Sequence, residues 1–506
     1  MSAQAMTFRA SRVVVVGAGG GGLASAALLA RAGHAVTLLE RNADTGGKIG
    51  EMRLGAYRFD TGPTLLTMPW VFDEFFTALG ERREDHLPLR ALELLCRYTF
   101  ADGSRLDLHA DPDARRDAVR AFSPGEEVAL DRYLAHVARM YAISEDVFLR
   151  NPFTARSVAR FIRPRFLRDL PSFTSGATLH DLNRRYFQDP RLVQLFDRFA
   201  TYNGSSAYHS PATFGVISHV ELAQGGFSPE GGMRMVAQAL EGAARRAGVD
   251  IRCGEEAVRV AMSERGPTAV HLSSGAVLPA DVVIVNQDAI TAYGMLFADA
   301  PRVHALRRRM EAREPSCSGF VVLAGVRGTH PHLAQHNIFF SGDYAREFDE
   351  LFVARAPITD PTVYVSVSAR SSAADAPAGA ENWFVLVNAP ALAPGTEWDR
   401  IAAGYRDRVF DVLARHGVDP SGTLEVEALI TPADLACRDL AFHGALYGHA
   451  SHSPLSAFRR PPLAPRELPG VFFVGGTTHP GGGVPMVILS ARIAAREAAR
   501  RLEKKF

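Results

Sequence analysis

Apolar runs near the start of the chain alternate with glycines in a pattern that predicts a strand, a helix and a second strand. Val13–Val16 is a short β-branched run that ends in glycines, as buried strands do. Leu23–Ala32 carries helix formers and is broken by Gly33–His34, after which Ala35–Glu40 has the pattern of a strand. The chain is therefore predicted to open with a βαβ unit.

The pattern farther along the chain predicts alternating helical and strand-rich blocks. Helical spacing of apolar residues covers Phe72–Leu79 and Glu126–Arg139, and helices are expected between about 141 and 200, where Phe and Arg are frequent. From 249 to 288, three short apolar runs predict strands that could rejoin the first sheet. The alanine-rich segment Ala373–Ala380 is interpreted as a surface loop. Further strands are expected at Phe320–Val326, Thr362–Ser368, Trp383–Asn388, Leu424–Ile430 and Val471–Val474, with a closing helix from about Val484.

Composition and charge exclude several classes of protein. The 506 residues exceed one ordinary core and amount to roughly three domains. The 56 basic and 55 acidic residues leave a net charge of +1, so nucleic acid is not an expected partner. The four cysteines are far apart, so we expect neither a metal site nor a disulfide framework but a reduced, cytoplasmic setting. The polar N-terminus predicts no signal peptide, and no apolar run reaches the roughly 18 residues of a membrane-spanning helix.

Three glycines, Gly17, Gly19 and Gly22, follow the first predicted strand with the spacing G-x-G-x-x-G. In such a turn the first glycine makes the bend, the second admits a pyrophosphate close to the backbone, and the third lets the helix pack on the strand. Glu40 ends the next strand, where its carboxylate can accept hydrogen bonds from ribose hydroxyls. The combination predicts a dinucleotide site, with a purely structural glycine turn as the alternative, and it does not separate NAD from FAD.

A second glycine cluster lies near the other end of the chain. Gly475–Gly476 follow the apolar run Val471–Val474, and Gly481–Gly483 lead into the helix expected from Val484. The positive end of that helix would face a flavin ring, whose reduced form becomes anionic near N1. We therefore expect one FAD held by both ends of the chain, and a glycine-rich loop before a surface helix is the alternative.

Several motifs resemble one family of flavoproteins. Arg41 and Gly46–Gly47 resemble a pattern of amine oxidases and phytoene desaturases, and RFDTGPTLLTMP resembles the turn that follows it. With ADVVIVNQD and GGTTHPGGGVP, these segments are similar to the carotenoid desaturases of the bacterial phytoene-desaturase family. The block FDRFATYNGSSAYHSPATF resembles, more narrowly, the members that introduce a 3,4 double bond into 1-hydroxycarotenoids. A phytoene-desaturating member and a ketolase-like or isomerase relative are the alternatives.

The resemblance implies an α/β fold, in which a mixed α+β substrate domain is inserted into a Rossmann-like FAD-binding domain. The FAD-binding domain would comprise residues 1–85, 232–290 and 465–506, and the substrate domain residues 86–231 and 291–464. Cofactor-binding roles are implied for residues of both glycine motifs and for positions between them, namely Gly17, Gly19, Gly22, Glu40, Arg41, Gly47, Lys48, Thr64, Val258, Gly476, Gly483, Val484 and Pro485.

The implied reaction removes two hydrogens from adjacent carbons of a carotenoid, by hydride transfer to flavin N5 and loss of a proton. Candidates for proton removal or another catalytic role are His479, Arg198, Tyr202 and Asp197. A histidine in a turn often only hydrogen-bonds the backbone, and water or a carboxylate is an alternative proton acceptor. Partners for a substrate hydroxyl are Tyr202, Asn203 or His209, unless YNGS is only a turn.

Because carotenoids reside in lipid, the resemblance also implies an apolar tunnel that opens at a membrane face. The stretch 147–173 would suit that face, with aromatic rings in the interface and arginines at anionic headgroups. Its phenylalanines are Phe148, Phe153, Phe161, Phe166 and Phe173, and its arginines are Arg150, Arg156, Arg160, Arg163, Arg165 and Arg168. A solvated face over a core is the alternative. We expect peripheral association with the bilayer, oxygen or a quinone as electron acceptor, and a chain that is free to form oligomers.

Two other classes of protein compete with this interpretation. A flavoprotein of the amine oxidase or protoporphyrinogen oxidase kind would need a compact polar substrate site, and the THPGGGVP and ATYNGS segments argue against it. GDP-dissociation inhibitors of small GTPases resemble this fold and bind prenyl chains without flavin turnover, but their glycine fingerprint has lost its cofactor function. A yellow protein with flavin absorbance would favour the enzyme, and a colourless one the prenyl-lipid binder.

Overall fold

The valine-rich run near the start of the chain forms the central strand of a parallel sheet in the computed structural model, which describes residues 10–152, 176–453 and 456–503. The strands in chain order are β1 (Arg12–Val16), β2 (Ala35–Glu40), β3 (Glu51–Leu54), β4 (Tyr57–Asp60), β5 (Leu89–Ala91), β6 (Leu94–Thr99), β7 (Arg105–His109), β8 (Phe227–Pro229), β9 (Asp250–Cys253), β10 (Ala257–Ser263), β11 (Gly266–Leu272), β12 (Val277–Pro279), β13 (Val282–Val285), β14 (Ser318–Arg327), β15 (His336–Phe339), β16 (Val363–Val367), β17 (Ala380–Ala389), β18 (Leu424–Ile430) and β19 (Val471–Phe473).

Helices connect and cover these strands. The α-helices are α1 (Gly20–Arg31), α2 (Pro69–Leu79), α3 (Pro112–Phe122), α4 (Glu126–Ser144), α5 (Leu179–Tyr186), α6 (Pro190–Asp197), α7 (Val216–Gln224), α8 (Arg234–Arg246), α9 (Ala289–Met295), α10 (Pro301–Glu311), α11 (Tyr344–Asp349), α12 (Trp398–Arg415), α13 (Pro432–Arg438) and α14 (Val484–Glu503). Shorter helical turns lie at Arg83–Asp85, Glu145–Leu149, Arg198–Asn203, Ala212–Gly215, Glu350–Ala354, Ser368–Arg370, Ala373–Asp375, Phe442–Gly444 and Ser456–Arg459.

The first sheet has the strand order β19–β13–β1–β2–β9, and all its neighbouring strands run parallel. Side chains alternate between the two faces of a strand. Val13 and Val15 of β1 pack in a core with α1, α8 and α14, whereas Val14 and Val16 pack in a second core with β10, β11 and α9. Both faces are thus covered, as a parallel sheet requires.

The strands predicted between 249 and 288 separate into two sheets. β9 and β13 join the first sheet, as expected. β10, β11 and β12 instead form an antiparallel sheet of their own. Their connections are too short for the crossover that a parallel pair needs, so consecutive strands fold back as hairpins.

The largest sheet has seven strands in the order β18–β14–β17–β16–β15–β6–β7. All neighbours are antiparallel except β15 and β6, which run parallel. Phe320 on one face of β14 stacks against Trp398 of α12, with ring centroids 5.6 Å apart. The opposite face of this sheet contributes Val321, Leu386 and Tyr364 to a cavity. The sheet therefore separates a helix-covered core from the candidate site.

The interpretation of Ala373–Ala380 as a surface loop is wrong for part of the segment. Asp375 is only 1% exposed. Its carboxylate accepts a hydrogen bond from the Arg58 guanidinium at 3.3 Å, and Ser372 donates another at 3.0 Å. Local composition cannot reveal a partner so distant in sequence, and that partner is what places this aspartate in the interior.

Most of the stretch 147–173 lies outside the described residues, including all its predicted interfacial side chains beyond Phe148 and Arg150. Phe148 packs edge-on against the ring of His479, with centroids 4.5 Å apart. Arg150 pairs with Glu74 at 2.8 Å and with Glu145 at 2.7 Å. In the described ranges, no helix combines the length and apolar character needed to cross a bilayer.

Glu347 in α11 gives the fold a pH-dependent stability. Burial raises the pKa of Glu347 to about 7, against hydrogen bonds from Thr362 and Ser341. Because this pKa lies above the unfolded value, the folded state binds more protons between about pH 4.5 and 7, and stability falls as the pH rises through that window. Glu347→Gln is therefore expected to stabilise the protein by about 3 kcal/mol at pH 8 and to change little near pH 4.5.

The measurement is urea unfolding at both pH values, with Glu264→Gln in the exposed β10–β11 turn as the matched control. The control should follow wild type at both pH values. An equal effect of Glu347→Gln at pH 4.5 and pH 8 would show that the side chain acts through packing rather than through its charge.

Candidate active site

A cavity of about 520 Å³ lies between the carboxyl ends of the first sheet and the open face of the seven-stranded sheet. Its volume is typical of a ligand site, and its position at the carboxyl ends of parallel strands is typical of α/β folds. One end is lined by glycines and charged side chains, and the other mainly by aliphatic and aromatic ones.

The turn between β1 and α1 forms the floor of the charged end. The Gly17 amide donates to the Leu39 carbonyl at 2.8 Å, which fixes the turn against β2. A Cβ on Gly22 would lie 2.0 Å from the Gly17 carbonyl oxygen, so α1 begins in direct backbone contact with the turn. Gly17, Gly19 and Gly20 line the cavity, whereas Gly22 packs beneath it. The first amides of α1 are thereby left facing a space that suits a phosphate.

Asn286, directly after β13, ties this turn to the C-terminal strand and was not singled out from the sequence. Its Oδ1 accepts from the Gly22 amide at 2.6 Å, and its Nδ2 donates to the Val474 carbonyl at 3.1 Å. Its own amide donates to the Val16 carbonyl at 2.7 Å. The backbone amide and the side chain of Asn286 together therefore join the ends of β1 and β19 and the start of α1 around the cavity.

Glu40 and Arg41 lie at the end of β2 and line the same end of the cavity. The Glu40 carboxylate accepts from the Ala18 amide at 2.8 Å and from the Asn42 amide at 3.0 Å. Arg41 donates to the Arg438 carbonyl at 2.8 Å, at the C-terminal end of α13. Glu40 is thus an oriented acceptor, and Arg41 a positive charge beside it.

Lys48 provides a buried positive charge farther along this wall. Its Nζ donates to the Leu446 carbonyl at 3.0 Å. Burial lowers the pKa of Lys48, and the carboxylates of Asp439 and Asp288 oppose that shift. A buried cation favours an anionic ligand, because pairing offsets the cost of desolvation. Gly47, which precedes it, also lines the cavity.

The C-terminal glycine loop closes the cavity from the other side. Gly476, Gly483, Val484 and Pro485 all line it. A Cβ on Gly482 would lie 2.3 Å from the Tyr447 ring, so the loop passes this ring as bare backbone. Because α14 begins at Val484, its positive end faces the cavity.

These features match the chemistry of FAD. Two helix N-termini and the Lys48 ammonium suit a diphosphate and an electron-rich ring, and the Glu40 carboxylate suits a ribose. The glycine turn admits no Cβ at the position where backbone must approach the ligand. The residues present therefore fit the group.

The apolar end of the cavity contains a buried polar cluster, which consists of Arg198, Tyr202 and Glu221. Tyr202 donates a short hydrogen bond to the Glu221 carboxylate. Arg198 donates to the Tyr98 hydroxyl at 2.7 Å and lies 3.5 Å from Glu221. Arg198 is 8% and Glu221 2% exposed, so the pair is held away from bulk water. A buried charge in an apolar cavity wall destabilises the fold unless it is well paired or interacts with a ligand.

A second polar chain lies where the two ends of the cavity meet. The Thr64 hydroxyl is 2.6 Å from the Tyr364 hydroxyl, which is 2.7 Å from His336 Nδ1. Thr64 was a predicted site residue, whereas Tyr364, His336 and Glu221 were missed. In the sequence, each of these three appears only as a polar residue within an apolar run. Nothing in the neighbouring sequence distinguishes such a site residue from an ordinary residue of a strand or helix.

His479 lies beside the glycine loop but does not line the cavity as the structure describes it. It is 6% exposed, and its Nε2–H donates to the Asn151 carbonyl at 2.8 Å. Burial lowers the pKa of His479 to about 4, so the ring is neutral at pH 7. This bond holds the loop against the end of the helical turn Glu145–Leu149, and the ring makes no contact with the cavity.

Four further predicted residues also lie outside the cavity lining, namely Val258, Asp197, Asn203 and His209. Val258 is 40% exposed, and its neighbour Ala257 lines the cavity instead. Asp197 and Asn203 are buried at the two ends of the helical turn that carries Tyr202, whereas His209 is exposed. Asp197 accepts from Asn183 at 2.8 Å, and Asn203 donates to Ser451 at 2.7 Å.

A cavity with this cofactor cradle, built on this fold, defines a class of protein, the flavin-dependent oxidoreductases. Residues 21–373 match the family described as flavin containing amine oxidoreductase, and the chain belongs to that family. FAD is its cofactor. The α/β fold with a Rossmann-like FAD domain, the FAD cofactor and the enzyme class predicted from the sequence are all confirmed.

Relatives define the family more narrowly. The chain is 32% identical to a 1-hydroxycarotenoid 3,4-desaturase of Flavobacterium sp. (strain P99-3), over 96% of this chain and 98% of the relative. It is 38% identical to a hydroxyneurosporene desaturase of Cereibacter sphaeroides, over 96% of each. It is 34% identical to a 4,4'-diapolycopene oxygenase of Methylomonas sp., over 95% of this chain and 97% of the relative. These matches confirm the resemblance to the carotenoid desaturase family.

Solved structures share the fold at low identity. Putrescine oxidase bound to putrescine is 16% identical, with a TM-score of 0.62 over 97% of this chain and 99% of that one. Cyclohexylamine oxidase from Brevibacterium oxydans IH-35A is 17% identical, with a TM-score of 0.59 over 98% of this chain and 100% of that one. At this identity the likeness establishes the fold alone.

Proposed function

We propose that the chain is an FAD-dependent carotenoid desaturase, which introduces a double bond at the 3,4 position of a 1-hydroxycarotenoid at a membrane surface. The observation that carries the proposal is the polar cluster of Arg198, Tyr202 and Glu221 within the otherwise apolar end of the cavity. The relatives named as 1-hydroxycarotenoid 3,4-desaturase and hydroxyneurosporene desaturase support the same substrate class.

The cluster suits a hydroxyl group better than a plain hydrocarbon. Tyr202 donates its hydroxyl hydrogen to the hydrogen bond with Glu221. Its phenolic oxygen therefore keeps a lone pair that can accept a hydrogen bond from a substrate hydroxyl. A site built in this way discriminates against analogues that lack the hydroxyl, because its polar groups are then left unpaired. Tyr202 is the predicted hydroxyl partner that lines the cavity, whereas Asn203 and His209 do not.

The rest of the cavity suits a long polyene. Val321, Ile338, Phe384 and Leu386 line it from the seven-stranded sheet and exclude water from the reacting carbons. When bound, FAD supplies the hydride acceptor for the reaction. Lys48 and the positive end of α14 hold the cofactor, and the polar cluster fixes the hydroxyl end of the substrate. A 1-hydroxyl is only a few bonds from carbons 3 and 4, so fixing it also fixes the C–H bonds to be broken.

The proposal is tested by incubating FAD-loaded protein in liposomes with phytoene and, separately, with a conjugated 1-hydroxycarotenoid. Chromatography and absorbance should show a red shift and the loss of two hydrogens for the hydroxylated substrate alone. Conversion of phytoene instead would assign the chain to the earlier desaturation. Oxygen and a quinone are compared as the final acceptor in the same assay. Protein that stays in the supernatant after the liposomes are pelleted would contradict the membrane location.

Tyr202→Phe tests hydroxyl recognition directly. Loss of one hydrogen bond in a desolvated site is expected to lower kcat/KM for the hydroxylated carotenoid about 10- to 100-fold and to weaken its binding, with little change in the Kd of a hydrocarbon carotenoid. Tyr208→Phe is the matched control, because Tyr208 packs against the same hydrophobic cluster as Tyr202 but does not line the cavity. An equal loss of affinity for both carotenoids would contradict hydroxyl recognition by Tyr202.

A further inference from the structure

We propose that Tyr364 and His336 form the proton-accepting pair of the desaturation, with the Tyr364 hydroxyl passing the proton to His336. The inference rests on the proposed function, in which adjacent C–H bonds lose a hydride and a proton. Those two carbons are about one bond length apart, so the proton acceptor must stand beside the hydride acceptor. The relevant region of the structure is therefore the junction between the cofactor end and the apolar end of the cavity.

The side chains at that junction form a continuous hydrogen-bonded chain. Thr64 belongs to the loop after β4 that lines the cofactor end. Its hydroxyl is 2.6 Å from the Tyr364 hydroxyl, which is 2.7 Å from His336 Nδ1. All three residues line the cavity. Tyr364 is partly exposed to the cavity and His336 is only 3% exposed, so the phenol stands in front of the imidazole.

His336 is a neutral base in this arrangement. Burial and the nearby Arg198 lower the pKa of His336 to about 4, so the ring carries no charge at pH 7. Its Nε2 has no partner among the described residues. The His336 imidazole therefore forms no ion pair among the described residues, and it lies behind the Tyr364 phenol at the junction of the two ends of the cavity. A base this weak is sufficient, because a C–H bond next to a carbon that is losing hydride is strongly acidic.

The proposed step balances in atoms and electrons. The C–H bond at one carbon breaks and its electron pair leaves with the hydrogen as hydride to FAD, the oxidant. The C–H bond at the adjacent carbon breaks, and its electron pair becomes the new π bond. That proton bonds to the Tyr364 oxygen while the Tyr364 proton bonds to His336 Nδ1. His336 later releases it to solvent.

Other candidate bases in the described residues are less suited. Glu221 already accepts hydrogen bonds from Tyr202 and lies against Arg198, so its carboxylate is committed. His479 donates Nε2–H to the Asn151 carbonyl and lies outside the cavity lining. Asp288 caps α9, where its Oδ1 accepts from the Ile290 amide at 2.9 Å. The Tyr364–His336 pair is the one at the junction.

The test compares His336→Asn, which keeps an acceptor near the Nδ1 position without a basic ring, with Tyr364→Phe and the double variant. The readouts are the rate of anaerobic flavin reduction in the FAD-loaded protein and the Kd for the product carotenoid. We expect each single variant to slow flavin reduction about 100-fold or more while the Kd stays within about threefold. Because both residues serve one step, the double variant should be no slower than the slower single one.

His449→Gln is the matched control. His449 is also buried, its pKa is also lowered to about 4 by burial, and its Nε2–H donates to the Met310 carbonyl, but it does not line the cavity. Its replacement should leave flavin reduction unchanged. A further variant, His336→Gly, should regain rate on addition of imidazole, which a structural role for the ring would not produce.

Three results would overturn the assignment: a slowing of less than tenfold in His336→Asn, a parallel loss of rate and product affinity, or multiplied losses in the double variant. The series uses whichever carotenoid the wild-type protein oxidises. If that substrate is a hydrocarbon, the proposed 1-hydroxycarotenoid is wrong and the proton-accepting pair is still tested.

Discussion

Gly22→Ala is expected to abolish stable FAD binding. The added Cβ would lie 2.0 Å from the Gly17 carbonyl oxygen and 3.1 Å from Asn286 Oδ1. Neither atom is free to move, because the Gly17 amide bonds to the Leu39 carbonyl and the Gly22 amide bonds to Asn286. Forcing α1 away from the turn would displace the amides that face the cofactor, so the Kd for FAD should rise about 100-fold or more.

The measurement is titration of apoprotein with FAD, followed by quenching of flavin fluorescence. Gly404→Ala in α12 is the matched control, because a Cβ at that helical glycine meets no atom within 4 Å. The control should bind FAD like wild type and gain slight stability from its better helix propensity. Unchanged FAD affinity in Gly22→Ala would mean that the turn does not form the cofactor cradle.

Arg58→Met is expected to be the most destabilising change in the β3–β4 hairpin. The Arg58 guanidinium lies 2.8 Å from Glu51, 2.7 Å from Asp60 and 3.3 Å from Asp375. Without it, two deeply buried carboxylates lose their counter-ion, which costs about 3–5 kcal/mol. Burial already raises the pKa of Asp60 against the opposing effect of Arg58, so the variant should protonate this group more readily.

Arg53→Met is an unusually close control, since Arg53 pairs with Arg58 across the same hairpin and also contacts Glu51. Its side chain is 67% exposed, so its removal should cost less than about 1 kcal/mol. Chemical unfolding of both variants gives the comparison. Similar losses in the two would contradict the view that burial of the ion cluster, rather than the number of contacts, sets its importance.

Local sequence patterns were sufficient to predict most of the framework. The bounds of β2 and β18 agree with the apolar runs Ala35–Glu40 and Leu424–Ile430, and α14 begins at Val484 as expected. These elements are specified by short-range periodicity and by glycines, both of which can be read without knowing the fold. The FAD cofactor followed from the two glycine motifs, and the class of fold followed from the family resemblance.

The contacts that complete the site could not be predicted, because they join distant segments. Asn286 bonds to Gly22 across 264 residues of sequence, yet in its own neighbourhood it is only a polar residue after a strand. Tyr364 and Thr64 are separated by 300 residues. Asp60 was interpreted as part of a turn, and its burial depends on Arg58 and Asp375. Periodicity predicts the structure of each segment separately, whereas the roles of these side chains depend on contacts that form only when distant segments pack together.

The placement of β19 and α14 in the first sheet and its helical layer bears on how the protein is made. A ribosome completes β1, α1 and β2 early, whereas Asn286 and then the C-terminal glycine loop, which reach the same cavity, are made much later. At typical rates of synthesis, the interval between β2 and β19 is roughly 20 to 90 s. During that time the nascent chain has the N-terminal part of the cofactor site but not the C-terminal part, and α14 does not yet cover the parallel sheet. FAD therefore has its complete site only once the C-terminal glycine loop has been made and has joined the cavity, so bound FAD can stabilise the new protein only from that point.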